Sequence, residues 1–301
     1  MGSIQETNLK AAGFDYARPS DVEAALRLKE SLGERATFLA GGQSLIPALN
    51  MRLNQPGLVI DISRISSLRN VQTEEGGLRV GSMVTHRELG QSDIANKFSP
   101  IFRQTSRLIA HEAIRNKGTI GGSVALADPA AEWPAVCVAL DARVRLVSRH
   151  TVREVSADSF FKGTYMTDRQ EDELLDSIYF PPGASRIRPL IAEFSRQHGG
   201  FATAGVVLTI DLFEGVGRSI FFAISQAPIV IESEFLSDFV KSGTGGTASI
   251  CERWIKEKLR SFELTTDLYH DSKAKGHIAA VVASRALVAM RSTLNTGSID
   301  E

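Results

Sequence analysis

Apolar residues recur at near-helical spacing at Val22, Ala25, Leu26 and Leu32, with Ser20 and Glu23 placed ahead of them as a capping box and Gly33 as a stop. The next run, ATFLAGG, is short and apolar and reads as a strand entering a glycine turn. GLVIDI and LRVGSMV give two further strands, and Thr85 with Glu88 caps a short helix at THREL. The amphipathic stretch IFRQTSRLIAHEAI predicts one longer helix that closes at RNKG, where Asn116 and Gly118 supply turn chemistry. An apolar helix over EWPAVCVAL, a strand at RVRLVS and a strand at LLDSIYF follow, the last halted by Pro181-Pro182-Gly183.

Beyond that stop, FATAGVVLTIDLF and RSIFFAISQAPIVI are two long β-rich runs joined by EGVG, the pattern of an antiparallel hairpin. Helices are predicted over CERWIKEKLRSF and AKGHIAAVVASRALVAMRSTL, and the Gly/Thr/Ser-rich tract KSGTGGTAS reads as a flexible loop in preference to a phosphate loop. The expected class is α+β: a region of two α+β subdomains over residues 1–182, then a C-terminal domain, 183–301, with a small antiparallel sheet and helices.

Composition narrows the chemistry. In 301 residues, 34 basic side chains face 35 acidic ones for a net charge of -1, so no global field favours nucleic acid or an anionic membrane. No apolar run reaches the roughly 18 residues of a membrane span, and a soluble, cytoplasmic chain is expected. Only Cys137 and Cys251 occur, which excludes a disulfide framework and a self-supplied iron–sulfur cluster. Cys137, inside AVCVAL, reads as a small buried hydrophobe. The histidines at 86, 111, 150, 198, 270 and 277 form no H-E-x-x-H, and no G-x-S-x-G elbow exists.

Two segments stand apart from this background: AGGQS, Ala40 to Ser44, and TIGGS, Thr119 to Ser123. Each pairs adjacent glycines with a hydroxyl residue and has apolar sequence on both sides. Successive free amides in such turns form an anion nest, and two nests can serve the two phosphates of a pyrophosphate. Neither a Walker A sequence nor a G-x-G-x-x-G after the first strand is present. Taken from the residues alone, tight structural corners remain the competing explanation.

FLAGGQSLIPALNMRLNQPGLVIDI and IRNKGTIGGSVALADPAAEWPAV resemble the two FAD-binding segments of the medium, flavoprotein subunit of the molybdenum hydroxylases, the xanthine dehydrogenase and carbon monoxide dehydrogenase family. The resemblance runs from FDYARPSDVEAAL to the final helix. It implies that Ala40, Gly41, Gly42, Gln43, Ser44 and Leu45, with Thr119, Ile120, Gly121, Gly122 and Ser123, wrap the FAD pyrophosphate through backbone amides and hydroxyls. It also implies that Glu132 replaces an Asp near the adenosine ribose and that Leu175 lines the cofactor pocket. Where relatives often read Ser-Arg-Arg and Gly-Asp, this chain has Ser195-Arg196-Gln197 and Gly199-Gly200, which makes Arg196 a surface or interface cation.

The same resemblance implies a division of labour. A large molybdopterin-binding partner oxidises substrate, a small partner carries [2Fe–2S] clusters, and FAD on this chain delivers electrons to an acceptor such as NAD, a quinone or oxygen. The expected assembly is a heterotrimer or its dimer. Two readings compete: a self-contained FAD-dependent oxidase or reductase, and a cofactor-free assembly protein.

Overall fold

The computed structural model describes residues 11–197, 199–211, 214–241 and 247–296. The chain opens with a small parallel sheet. β1 (Asp15–Ala17) is followed by α1 (Val22–Leu32), β2 (Ala36–Leu39), α2 (Leu45–Asn50) and β3 (Leu58–Asp61), with strand order β1-β3-β2. Both neighbours run parallel to β3, which is buried at all four positions. Its unbroken apolar run LVI is what a strand covered on both faces requires.

α1 starts one residue later than the sequence pattern predicts. Asp21, not Ser20, is the N-cap, its Oδ1 accepting from the Ala24 N–H at 2.7 Å. A carboxylate makes the stronger, charge-assisted cap, and Glu23 then falls at the second helical position, too early to close a box. Gly33 ends the helix as expected, at φ 51°. Buried Lys29 secures that end, donating from Nζ to the carbonyls of Gly33 at 2.9 Å and Ala36 at 2.8 Å.

The second unit comprises β4 (Val71–Glu74), β5 (Gly77–Gly81), α3 (His86–Gln91), α4 (Asp93–Phe98), α5 (Ile101–Leu108), α6 (Glu112–Arg115), α7 (Ile120–Leu126), α8 (Glu132–Ala139), β6 (Arg143–Val147), β7 (Val152–Ser156), α9 (Ala157–Phe160), β8 (Phe161–Gly163), β9 (Met166–Thr167) and β10 (Leu174–Phe180). Five strands pair antiparallel in the order β4-β5-β10-β6-β7, and β8 with β9 makes a separate hairpin. The Thr85–Glu88 capping box at α3 is present in both directions.

The single helix predicted over residues 101–114 is broken into α5 and α6. Ala110 turns left-handed at φ 42°, and Arg115 reaches back to donate to the carbonyls of Ile109 at 3.0 Å and Ala110 at 2.7 Å. The guanidinium takes over two carbonyls that a continuous helix would have satisfied internally.

The C-terminal part contains β11 (Arg188–Ser195), β12 (Ala202–Ile210), β13 (Gly217–Phe222), β14 (Ile229–Ser233), α10 (Glu234–Lys241), α11 (Ala248–Leu259) and α12 (Ser272–Thr296). The strands form an antiparallel meander in sequence order. The hairpin predicted around EGVG is β12–β13, but the second β-rich run is two strands rather than one. They part at Ala223, left-handed at φ 66°, whose N–H is taken by the Pro129 carbonyl at 2.7 Å. β11 and α10 have no counterpart in the sequence pattern, and Pro189 in β11 is tolerated because that strand is an edge. Most of the KSGTGGTAS tract lies outside the described residues.

β12 is buried at all nine positions because α8 packs on one face of the sheet and α12 on the other. One continuous core accordingly joins Trp133 and Val136 with Val207, Ile220 and Phe222, while a second joins Val206 and Leu208 with Ala283 and Leu287. Cys137 and Cys251 are buried free thiols, and burial raises the pKa of both.

Inside the first core, the Trp133 indole N–H donates to His86 Nδ1 at 3.0 Å, tying α8 to α3. Burial, reinforced by the Arg115 charge, lowers the His86 pKa to about 4, so the ring is neutral and the acceptor nitrogen stays available. Trp133→Phe keeps an aromatic ring but orphans that nitrogen. The expected loss is about 1–3 kcal/mol of unfolding free energy, read from urea titrations at neutral pH.

Candidate cofactor site

The two glycine turns meet. β2 delivers the chain into Ala40–Ser44, and α6 delivers it through Asn116, Lys117 and Gly118 into Thr119–Ser123. A Cβ at Gly41 would stand 2.2 Å from the Lys117 carbonyl oxygen and 2.8 Å from Gly118 Cα. Only glycine permits that approach of backbone to backbone. Gly122 completes the contact from the other side, its missing Cβ facing the Ala40 methyl at 3.5 Å. Gly121 is pressed against Ser82, where a Cβ would lie 2.3 Å from the serine Cβ.

At the first turn Gly42 has φ 74°, a conformation that aims successive amides into one concavity. Gln43 Nε2 donates to the Gly41 carbonyl at 2.9 Å and braces the turn from within. Among the described residues, the amides of Gly42, Gln43, Ser44 and Leu45 have no hydrogen-bond partner. Ser44 precedes α2 as its N-cap but makes no side-chain capping bond, so its exposed hydroxyl is uncommitted.

The second turn differs from the first. Its amides from 120 to 123 are already taken: Ile120 N–H donates to Val84 O at 3.0 Å, Gly121 to Ser82 O at 3.0 Å, and Ser123 to Thr119 O at 3.0 Å, while the Thr119 amide has no hydrogen-bond partner among the described residues. The Gly122 amide donates to Thr119 Oγ1, also at 3.0 Å, which makes Thr119 the N-cap of α7. Free backbone amides are therefore concentrated at the first turn, and in the second only that of Thr119 is uncommitted among the described residues. What the second turn offers is the Ser123 hydroxyl, the Thr119 hydroxyl proton and a surface free of side chains. Ile120 is a fully buried core anchor. With α2 and α7 only six and seven residues long, the donors rather than a helix macrodipole carry the electrostatics.

Two more predicted residues are placed on the elements around these turns. Glu132 is the first residue of α8, half-buried, with its pKa raised to about 8 by burial and then by the charge of Glu193. Glu193, on β11, is itself raised to about 7 by burial, and its Oε2 is buried without a hydrogen-bond partner. Leu175 lies on β10, the strand against which α7 packs, inside the same core as Ile120 and Val124. The Arg196 guanidinium lies over the Tyr269 ring, 3.7 Å from its centroid, a cation–π contact near the surface.

These groups fit a dinucleotide. Unpaired amides and hydroxyls match the acceptor-only oxygens of a pyrophosphate, and an orphaned buried carboxylate matches the donor hydroxyls of a ribose or ribityl chain. Residues 12–183 match the profile of the FAD binding domain in molybdopterin dehydrogenase. The chain belongs to this family of FAD-binding proteins. It is 32% identical to the carbon monoxide dehydrogenase medium chain of Hydrogenophaga pseudoflava, over 91% of this chain and 96% of that one. It is 30% identical to the nicotine 6-hydroxylase medium subunit of Paenarthrobacter nicotinovorans, over 93% of this chain and 98% of that one. Among solved structures, quinoline 2-oxidoreductase from Pseudomonas putida 86 superposes with a TM-score of 0.85 at 27% identity, covering 94% of this chain and 98% of that chain.

FAD is thus the cofactor of this family member, and it is a subunit of an oxidoreductase. His86, Trp133 and Glu193 escaped the sequence reading as parts of the site's framework. His86 could have been suspected from its place directly after the Thr85 cap, whereas Glu193 lies on a strand that the pattern did not predict. No helix among the described residues is long and apolar enough to cross a membrane.

The raised carboxyls set a pH dependence for the FAD-free protein. Folded Glu132 and Glu193 hold protons that the unfolded chain releases near pH 4.5, so their contribution to stability is full below that and declines through about pH 7–8. Glu193→Gln removes one of these titrations. Urea midpoints compared between about pH 5 and pH 8 are expected to fall less steeply in the variant than in the wild type.

Proposed function

We propose that this chain is the FAD-carrying electron-transfer subunit of a molybdenum hydroxylase complex, relaying electrons between [2Fe–2S] clusters on a small partner and an external acceptor. Substrate oxidation belongs, on this reading, to a large molybdopterin-binding partner. The observation that carries it is the meeting of the two glycine turns, Gly41 against Lys117–Gly118 and Gly122 against Ala40, with the amides of 42–45 left unpaired among the described residues. Having only two cysteines, both buried, the chain must draw on clusters held elsewhere. Bound FAD supplies the capacity to take electrons singly and release them in pairs.

In this reading Gly42, Gln43, Ser44 and Leu45 donate to the pyrophosphate, and Gly41, Gly121 and Gly122 keep side chains out of its path. Ala40 and Ile120 anchor the two turns, Thr119 and Ser123 add hydroxyls, and Leu175 supplies apolar wall. Glu132, with Glu193 beside it, accepts from sugar hydroxyls. The boundary belongs near Pro182, with residues 1–182 as the FAD-binding region and 183–301 as the C-terminal flavoprotein domain.

Purified from its source under gentle conditions, the chain is expected to show flavin absorbance together with iron–sulfur absorbance and two partner polypeptides. A lone, colourless chain that takes up no FAD on addition overturns the proposal. Ser44→Ala combined with Ser123→Ala removes two donors without filling any close contact. It is expected to weaken FAD binding by about tenfold to a hundredfold, followed by fluorescence titration, while folding stability stays within roughly 0.5 kcal/mol.

A further inference from the structure

A separate cleft of about 390 Å3 opens between α3, α5 and α6, lined by four arginines at 87, 103, 107 and 115. Glu112 is the one carboxylate among its lining residues, and it is already paired with Arg87 at 3.1 Å. Arg87 also donates to Asn116 Oδ1 at 3.0 Å, and Arg115 is spent on the carbonyls of Ile109 and Ala110. Arg103 and Arg107 are exposed, and among the described residues neither forms an ion pair or hydrogen bond. Four guanidiniums against one carboxylate is a strong local excess in a chain of net charge -1.

A second observation points the same way. Ser106 is 5% exposed, forms part of the cleft wall, and its Oγ has no hydrogen-bond partner. Gly90, also in the wall, lies so close that a Cβ there would stand 2.6 Å from Ser106 Cβ. A hydroxyl without a partner in the wall that Arg103 and Arg107 also line leaves one further donor for an acceptor from outside the chain.

We propose that this cleft binds a phosphate-bearing anion. Arg103 and Arg107 lie four residues apart on α5, so their planar forks present side by side to one anionic group. The oxygens of a phosphate can take both forks and the Ser106 hydroxyl together, and a concave cleft of this size suits a small phosphorylated ligand better than a flat protein surface. The site is distinct from the glycine turns and does not depend on the cofactor assignment.

The test is calorimetric titration of the full chain, saturated with FAD, with inorganic pyrophosphate and with ADP at low ionic strength. One saturable site is expected, weakened at least about tenfold in Arg103→Gln/Arg107→Gln, with flavin absorbance and urea midpoint unchanged. Ser106→Ala, which deletes only an unpaired hydroxyl, is expected to keep its stability and lose affinity. Equal binding of the two probes identifies phosphate itself as the ligand, and tighter ADP identifies a nucleotide. The absence of saturable binding with either probe, or binding that neither variant changes, overturns the proposal. So does a double variant that sheds a partner subunit while the wild type binds no pyrophosphate, since the cleft is then a protein interface. If FAD is not retained, the comparison of wild type with the Arg103/Arg107 variant still decides the cleft.

Discussion

Two stretches of backbone, at Gly41 and at Lys117–Gly118, lie closer together than any side chain would allow, and the arrangement of the N-terminal region depends on that contact. It brings the end of a parallel sheet onto the entry to a helix from an antiparallel layer, joining two units with separate strand orders. Around it, neighbours act as fasteners: Gly121 against Ser82, the Thr119 cap on Gly122, and the buried His86–Trp133 bond that holds α3 and α8 in step. The second turn spends its amides from Ile120 to Ser123 on this fastening. The first turn, relieved of that task, keeps its amides free, and the asymmetry between two similar pieces of sequence follows from which one does the holding.

Much of this was legible from residues alone, for reasons that are local. Glycine pairs, the Thr85–Glu88 box and the Pro-Pro stop after β10 report on their own neighbourhood, and strands such as LVID carry their burial in their composition. The misreadings have a different origin. α5 and α6 share one amphipathic pattern, yet Arg115 caps carbonyls in the middle of it. Ala223 splits a β-rich run because a carbonyl at Pro129, far away in sequence, captures its amide. β11 carries Pro189 and charged residues, and its pairing with β12 is what makes it a strand. Glu193 was invisible for the same reason, since its significance lies in facing Glu132 from another element.

The titratable groups in the interior show opposite logics. His86 is held neutral by burial and used as an acceptor, so protonation below its ordinary pKa works against the fold. Glu132 and Glu193 are held towards their protonated forms, and in the free chain deprotonation works against it. Polar contacts at the first turn come instead from neutral amides and hydroxyls, donors whose number does not change with pH. A dianionic pyrophosphate placed there would meet an environment that pH leaves constant.

The burial of β12 on both faces has a consequence for modularity. The stretch matched by the family profile stops at residue 183, but the core beneath it continues into Val207, Ile220 and Phe222. A chain cut at that point would leave α8 with its apolar side turned to water. Transplanting the N-terminal half into another protein would therefore require a replacement sheet as well as a linker, and recombination at Pro182 would favour exchanges that bring their own β12 and β13.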